Sequence, residues 1–343
     1  MMEYLNLGTA GVKVSRFCLG CAYFGALLDA DESSHLVHAA LDAGINLFDA
    51  ANAYSLGRSE ELLGQAVAGH RDQVVIATKV GRQMDYGPND WGHSRYHIMA
   101  QAEASLRRLG TDYIDLYQLH LHDPTAPLDE TLRALDDLRR QGKVRYFGTS
   151  NYPAWRLCQG LWTSDRLGFA SFVSEAPAYS LFNRQVESDV LPFCRAYGLG
   201  VVCYSPLGGG WLSGKYRRGQ PMPPDSRFAR RGTLVDPSEH ERAYDVLEGL
   251  ETLAAAKRVS LSQFALAWLL AQPGVTVANF GPRTPDQLRE DLGALSVTLT
   301  DEDLAAVDEI VPPGSQVLSR VPAPGGIVIG DPIPPSGMTS TPR

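Results

Sequence analysis

Ile45-Asn46-Leu47-Phe48-Asp49-Ala50-Ala51-Asn52-Ala53-Tyr54 changes character halfway along. Ile45 to Phe48 reads as a short buried strand, which ends in a carboxylate and is followed five residues later by a phenol. Amphipathic helical patterns flank it at 34–43 and 60–67. A carboxylate at the end of a buried strand costs several kcal/mol unless a cation or donors lie close by. A tyrosine on the following loop has a pKa of about 10 unless its surroundings change it. Asp49 and Tyr54 therefore both need a neighbour that this stretch does not contain.

The same unit recurs along the chain. Apolar runs rich in branched side chains occur at 16–20, 46–48, 74–79, 114–120, 144–149, 172–175, 200–204 and 275–280. Helical patterns separate and follow them at 97–109, 128–140, 153–162, 187–197, 239–257, 261–271, 284–295 and 301–309. Near-continuous apolar strands are expected when both faces of a sheet are covered. Eight βα units in 343 residues predict an α/β protein with a closed (β/α)8 barrel, a TIM barrel. An open doubly wound sheet usually carries a Gly-rich turn after its first strand, and Leu19-Gly20-Cys21-Ala22-Tyr23-Phe24-Gly25 is not one. Residues 3–15 predict an N-terminal β-hairpin turning at Gly8 and Gly11. The domain reading is one barrel over 1–311 and a Pro-rich C-terminal tail over 312–343, which holds eight of the 22 prolines. The connection 205–236 is long enough to suggest a functional loop.

A net charge of -8 and a pI near 5.5 argue against an electrostatic hold on nucleic acid or an anionic membrane. No apolar run is long enough to span a bilayer, and the first residues lack the pattern of a secretory signal. The expected location is the cytoplasm. Cys18 and Cys21 form a C-x-x-C, but without a second pair or a helix N-terminus they read as buried, reduced thiols. No metal is expected.

In an α/β barrel the functional residues lie at the C-terminal strand ends. Strand two ends at Asp49 with Tyr54 beyond, strand three at Lys79, strand four at His120 and strand five at Ser150-Asn151. Lys79 between Asp49 and Tyr54 would pair the carboxylate and lower the phenol toward working pH. His120 would hold a substrate oxygen, which makes Tyr54 a proton donor to a developing alkoxide. Taken singly, such an Asp is more often a cap, such a Tyr core and such a His structural. Four chemically matched groups at three successive strand ends outweigh those readings.

These residues bring the chain to a family. It resembles the aldo-keto reductase superfamily, with matches running from Leu19-Gly20 to Leu292-Gly293-Ala294. They include Phe48 to Tyr54, Ser59 to Gly64, Ala77-Thr78-Lys79, Ser105 to Gly110, Tyr113 to His120, Gly142 to Arg145, Gly148 to Asn151, Tyr204 to Leu207, Leu212 to Tyr216 and Gly281 to Leu288. The resemblance implies a barrel capped at its bottom by the hairpin. It implies Asp49, Tyr54, Lys79 and His120 as catalytic tetrad and NADPH or NADP, in preference to NAD, as cofactor. Gly20 and Asp49 would lie against that cofactor, with Ser150 and Asn151 on its carboxamide and Tyr204 stacked on its ring. Ser205, Pro206, Leu207, Lys215 and Arg227 would surround pyrophosphate and ribose. Gly281, Arg283, Gln287, Glu290 and Asp291 would hold the adenosine end, with Arg283 on the 2′-phosphate.

Three positions depart from the family pattern: Ala176 where a Gln usually helps hold the carboxamide, Asp291 where Asn is usual, and Ser55 where Gly usually follows the tyrosine. The sequence offers Glu175 or water as a substitute for the missing amide. Tyr23, Phe24, Trp91 and Trp211 either wall the substrate pocket or pack loops on the barrel, and both readings stay open. The implied partner is a small-molecule carbonyl substrate, reduced by hydride transfer with Tyr54 as general acid. Two alternatives are reduction of a conjugated C=C in an activated sugar or secondary metabolite, and an NADP(H)-sensing regulatory subunit. The first is prompted by similarity of Gly281-Pro282-Arg283-Thr284 and Asp189-Val190-Leu191-Pro192 to antibiotic deoxysugar reductases, the second by similarity to potassium-channel β-subunits.

Overall fold

The computed structural model describes residues 2–224, 226 and 237–318. Strands β1 (Tyr4–Asn6) and β2 (Lys13–Ser15) pair antiparallel as a hairpin. Eight more close into a parallel barrel: β3 (Phe17–Gly20), β4 (Leu47–Asp49), β5 (Val75–Val80), β6 (Ile114–Leu119), β7 (Val144–Ser150), β8 (Ser174–Ala176), β9 (Gly200–Tyr204) and β10 (Val277–Phe280). They neighbour one another in chain order, and β10 closes on β3. Among the described residues the α-helices are α1 (Ala30–Asp42), α2 (Arg58–Ala66), α3 (Arg95–Leu109), α4 (Leu128–Arg140), α5 (Ala154–Leu167), α6 (Val190–Tyr197), α7 (Pro237–Ala256), α8 (Leu261–Ala271), α9 (Pro285–Leu292) and α10 (Asp301–Ile310). None of the described helices is long and apolar enough to cross a membrane.

The predicted barrel is present, with shifts at the ends of its elements. β4 includes Asp49, whose register partners are Gly20 and Ala77; the carboxylate stays in the ladder because its charge is met inside the barrel. α1 starts four residues before the predicted 34, because Asp29 and Glu32 form a capping box on each other's backbone N–H. α5 runs to Leu167 and stops where Gly168 turns left-handed at φ 67°.

Alternation along the strands separates two apolar layers. Phe17, Leu19, Phe48 and Ile76 face outward into the large layer shared with the helices. Cys18, Leu47, Val75, Ala77, Leu116, Ala176, Val202 and Val277 form a smaller cluster with Leu7 and Val14 of the hairpin. This second cluster is the barrel interior, and the hairpin seals its lower end. Gly8 stands at φ 59°, and a Cβ there would meet Gly200 N at 2.4 Å, so the turn seats flat against the start of β9. Of the segment assigned above to the tail, residues 312–318 pack on the loop after β8. Val317 N–H donates to Phe182 O at 3.0 Å, and Leu318 is fully buried. Residues 319–343 lie outside the described residues.

Candidate active site

The upper end of the barrel interior is polar. Lys79, at the end of β5, donates to both oxygens of Asp49, at 2.5 and 2.6 Å, and to Ala50 O at 2.9 Å. The two side chains are almost fully buried. Removing one partner of such a pair typically costs about 3–5 kcal/mol, because the other charge is left unmatched. Tyr54 Oη lies 3.5 Å from Lys79 Nζ, and its ring sits 5.7 Å from that of His120 in an edge-on arrangement.

Tyr54 is set by a short helical turn, Tyr54–Gly57, in which Ser55 and Leu56 adopt left-handed conformations at φ 49° and 51°. Ser55 Oγ donates to Phe24 O at 2.9 Å and Ser59 Oγ to Cys21 O at 2.8 Å, so the turn is pinned to the segment after β3. Left-handed geometry at residue 55 gives the physical reason a glycine would suit that position. The Ser55–Phe24 bond helps hold the serine in it.

Burial raises the Tyr54 phenol above its ordinary value, against the pull of Lys79, and Asp49 adds to the rise. This corrects the expectation that Lys79 brings the phenol down toward neutral pH. The ammonium is committed first to Asp49, and the phenol is buried. Burial is the largest single influence on Lys79 and would lower it, but the charge and hydrogen bond of Asp49, with Tyr54 and Cys18, together hold the ammonium well above its usual value. His120 is pushed well below the usual imidazole range by burial, then by Arg82 and Lys79. A neutral His120 has one N–H to donate, and its buried Nδ1 has no hydrogen-bond partner among the described residues. A protonated phenol and a neutral imidazole thus share one mouth beside a fixed ammonium.

Comparison with known proteins bears on the whole chain. The model of the Aldo/keto reductase family matches residues 16–312. The chain belongs to the aldo/keto reductase family. A protein described as a probable voltage-gated potassium channel subunit beta from Oryza sativa subsp. japonica is 39% identical over 90% of this chain and 97% of its own length. An uncharacterized oxidoreductase of Bacillus subtilis is 38% identical over 92% of this chain and 98% of its own. Versiconal hemiacetal acetate reductase of Aspergillus parasiticus is 33% identical over 90% and 96%. Family and relatives together support an oxidoreductase of the carbonyl-reducing kind.

The residues expected around an aldo/keto reductase cofactor fall in two groups. The first spans the barrel mouth. Asn151, left-handed at φ 61°, donates to His120 O at 3.1 Å and to Ser150 Oγ at 2.9 Å, and accepts from Tyr204 Oη at 2.6 Å. Ser150 Oγ donates to Ala176 O at 2.9 Å. Ser205, Pro206 and Leu207 leave β9 through a left-handed Ser205 at φ 55°. The second group lies at the start of α9, where Arg283, Thr284 and Gln287 line a cleft of about 220 Å³ with Leu27, Leu28 and Glu32. A guanidinium beside a helix N-terminus is a donor set that fits a phosphate. Glu32 is turned to the Asp29 N–H at 3.0 Å as half of the capping box. Gly281 adjoins Tyr23 and the end of β3. Asp291 is buried, and burial pushes its carboxyl up to about 6. Glu290 is exposed at the surface, as is Lys215 in the loop after β9. Arg227 lies outside the described residues.

Glu175 does not take the place of the missing amide. It points outward from β8, fully buried, with its oxygens on Thr149 Oγ1 and the Tyr152 N–H, while the Ala176 methyl faces the interior. Phe24 and Trp211 have no exposed surface, and Trp211 stacks on Tyr216 with centroids 4.7 Å apart. For these two the loop-packing reading holds, which leaves Tyr23 and the 38% exposed Trp91 as aromatic wall candidates. Cys18 and Cys21 are buried, and burial raises both thiols. Two residues of the mouth were missed by sequence reasoning. Arg82, just past β5, acts electrostatically on Tyr54, His120 and Tyr204. Asn279 on β10 donates to Asp49 Oδ2 at 2.8 Å.

Proposed function

We propose that the chain is an NADPH-dependent carbonyl reductase that converts an aldehyde, ketone or sugar-derived carbonyl to the alcohol, with Asp49, Tyr54, Lys79 and His120 as its catalytic residues. The observation that carries the reading is Tyr54 Oη, 3.5 Å from the Asp49-bound ammonium and edge-on to a neutral His120 at one buried mouth. The nicotinamide cofactor would supply the hydride. His120 would donate its N–H to the substrate carbonyl oxygen and fix it beside Tyr54. Tyr54 would give its proton to that oxygen as negative charge develops, and Lys79 would steady the phenolate left behind. Because burial holds the phenol above its ordinary value, Tyr54 stays loaded as an acid at neutral pH. Carbonyl reduction should then persist through neutral pH and be lost only as pH rises beyond the ordinary phenol range.

Ser150, Asn151 and Tyr204 would receive the nicotinamide end. Arg283 at the head of α9 supports the preference for NADPH over NADH, since a guanidinium fork suits the extra phosphate. A second reading, an NADP(H)-sensing regulatory subunit, is favoured by the 39% identity to a probable potassium channel subunit beta.

A panel of aldehydes, ketones and enones, assayed for NADPH oxidation with product identification, separates these. Alcohol products from saturated carbonyls support the proposal, and saturated C–C products from enones alone point to alkene reduction. Cofactor binding without turnover on any compound favours the sensor.

A further inference from the structure

Asn279 lies on β10, Asp49 on β4, and β3 runs between them. Side chains on strands two apart are normally separated by those of the middle strand. Here the middle residue is Gly20, the register partner of Asp49. A Cβ on Gly20 would lie 2.6 Å from Asn279 Oδ1, closer than real Cβ contacts come. Gly20 has no left-handed φ to explain a glycine there, so space is the reason for it. Across that gap Asn279 Nδ2 reaches Asp49 Oδ2 at 2.8 Å. Asn279 is 7% exposed and points into the barrel like Val277 two residues before it.

We infer that Asn279 is a positioning residue for the reaction: through the opening left by Gly20 it holds Asp49, and thereby sets how strongly Lys79 acts on Tyr54. Asp49 has two acceptor oxygens facing one ammonium, and the Asn279 amide is the second donor on Oδ2. That bond fixes the plane of the carboxylate so that both oxygens lie on Lys79. It also takes up part of the negative charge that otherwise offsets the ammonium at Tyr54. Without it the carboxylate turns more freely and its field at the phenol is less compensated. The phenolate becomes harder to form.

The inference rests on Tyr54 being the proton-transfer residue, so the test includes Tyr54→Phe. In the alcohol-oxidising direction the phenol must be ionised, and the rate rises with pH as it titrates. Asn279→Leu, similar in volume and lacking the donor, should move that rise to higher pH by about one unit, a roughly tenfold loss at fixed pH recovered by raising it. Gly20→Ala should move it the same way by forcing Asn279 off Asp49. In protein labelled with 13C at tyrosine Cζ, the Tyr54 resonance, assigned by its loss in Tyr54→Phe, should reach the phenolate shift at a correspondingly higher pH. Asn279→Ser, which adds no bulk, should behave like the leucine variant. A rise at the wild-type pH in both Asn279 variants, with an unmoved resonance, overturns the inference, as does a loss equal at every pH. A Tyr54→Phe enzyme with wild-type activity and profile overturns instead the proposed function on which the inference rests.

Discussion

The two ends of the barrel interior are made from the same strands and do opposite things. At the lower end Leu7 and Val14 of the hairpin meet Cys18, Leu47 and Val75, and the space is filled by apolar side chains. At the upper end the same strands, a step or two further on, present Gly20, Asp49 and Lys79. An apolar plug stabilises through burial and carries no proton. A buried ion pair contributes little net stability, or none, relative to an apolar filling, but it fixes charge beside a phenol. The difference separates the end of the barrel whose filling stabilises the fold from the end that the proposed reduction would use.

The sharpest way to strain that contrast is Lys79→Met, because the upper end then carries an unmatched buried carboxylate. Chemical denaturation should show a loss of about 3–5 kcal/mol, together with loss of carbonyl reduction. A stable, active variant would mean that Asp49 finds other compensation and that the upper end is more forgiving than the contrast requires. Leu7→Ala probes the lower end alone. It should cost about 2–5 kcal/mol of stability through lost burial and the cavity left behind, with kcat unchanged below the new melting range. A fall in kcat with unchanged stability would reverse the assignment of the two ends. Smallest is Arg283→Ala, remote from both. Direct binding measurements should show NADPH weakened by roughly 10- to 100-fold, from a charge-assisted contact of about 1.5–3 kcal/mol, and NADH affected much less. Equal losses would remove Arg283 from the phosphate.

How much of this was readable in the sequence follows from the same physics. The barrel was legible because strands covered on both faces are written as apolar runs, and 114–120 or 200–204 admits few other readings. Asp49 and Lys79 were legible because charges ending such runs demand partners. Asn279 also interrupts such a run, in Val277-Ala278-Asn279-Phe280. That signal was present, but nothing in the chain's order tells that Gly20 on a neighbouring strand opens a path from it to Asp49. The direction of the Tyr54 shift was not legible, since it depends on how deeply the phenol is buried after folding. Phe24 and Trp211 show the same limit: a loop aromatic reads alike whether it lines a pocket or fills a core, and only packing decides.

Whether the upper end of the barrel transfers a proton through Tyr54 is decided by comparing wild type with Tyr54→Phe. The two measurements are kcat for carbonyl reduction at neutral pH and NADPH affinity. Removing the hydroxyl should cut kcat by roughly 10²- to 10⁴-fold, the range of general acid catalysis, and leave cofactor affinity nearly unchanged. A variant that reduces the same substrate at the wild-type rate would contradict it.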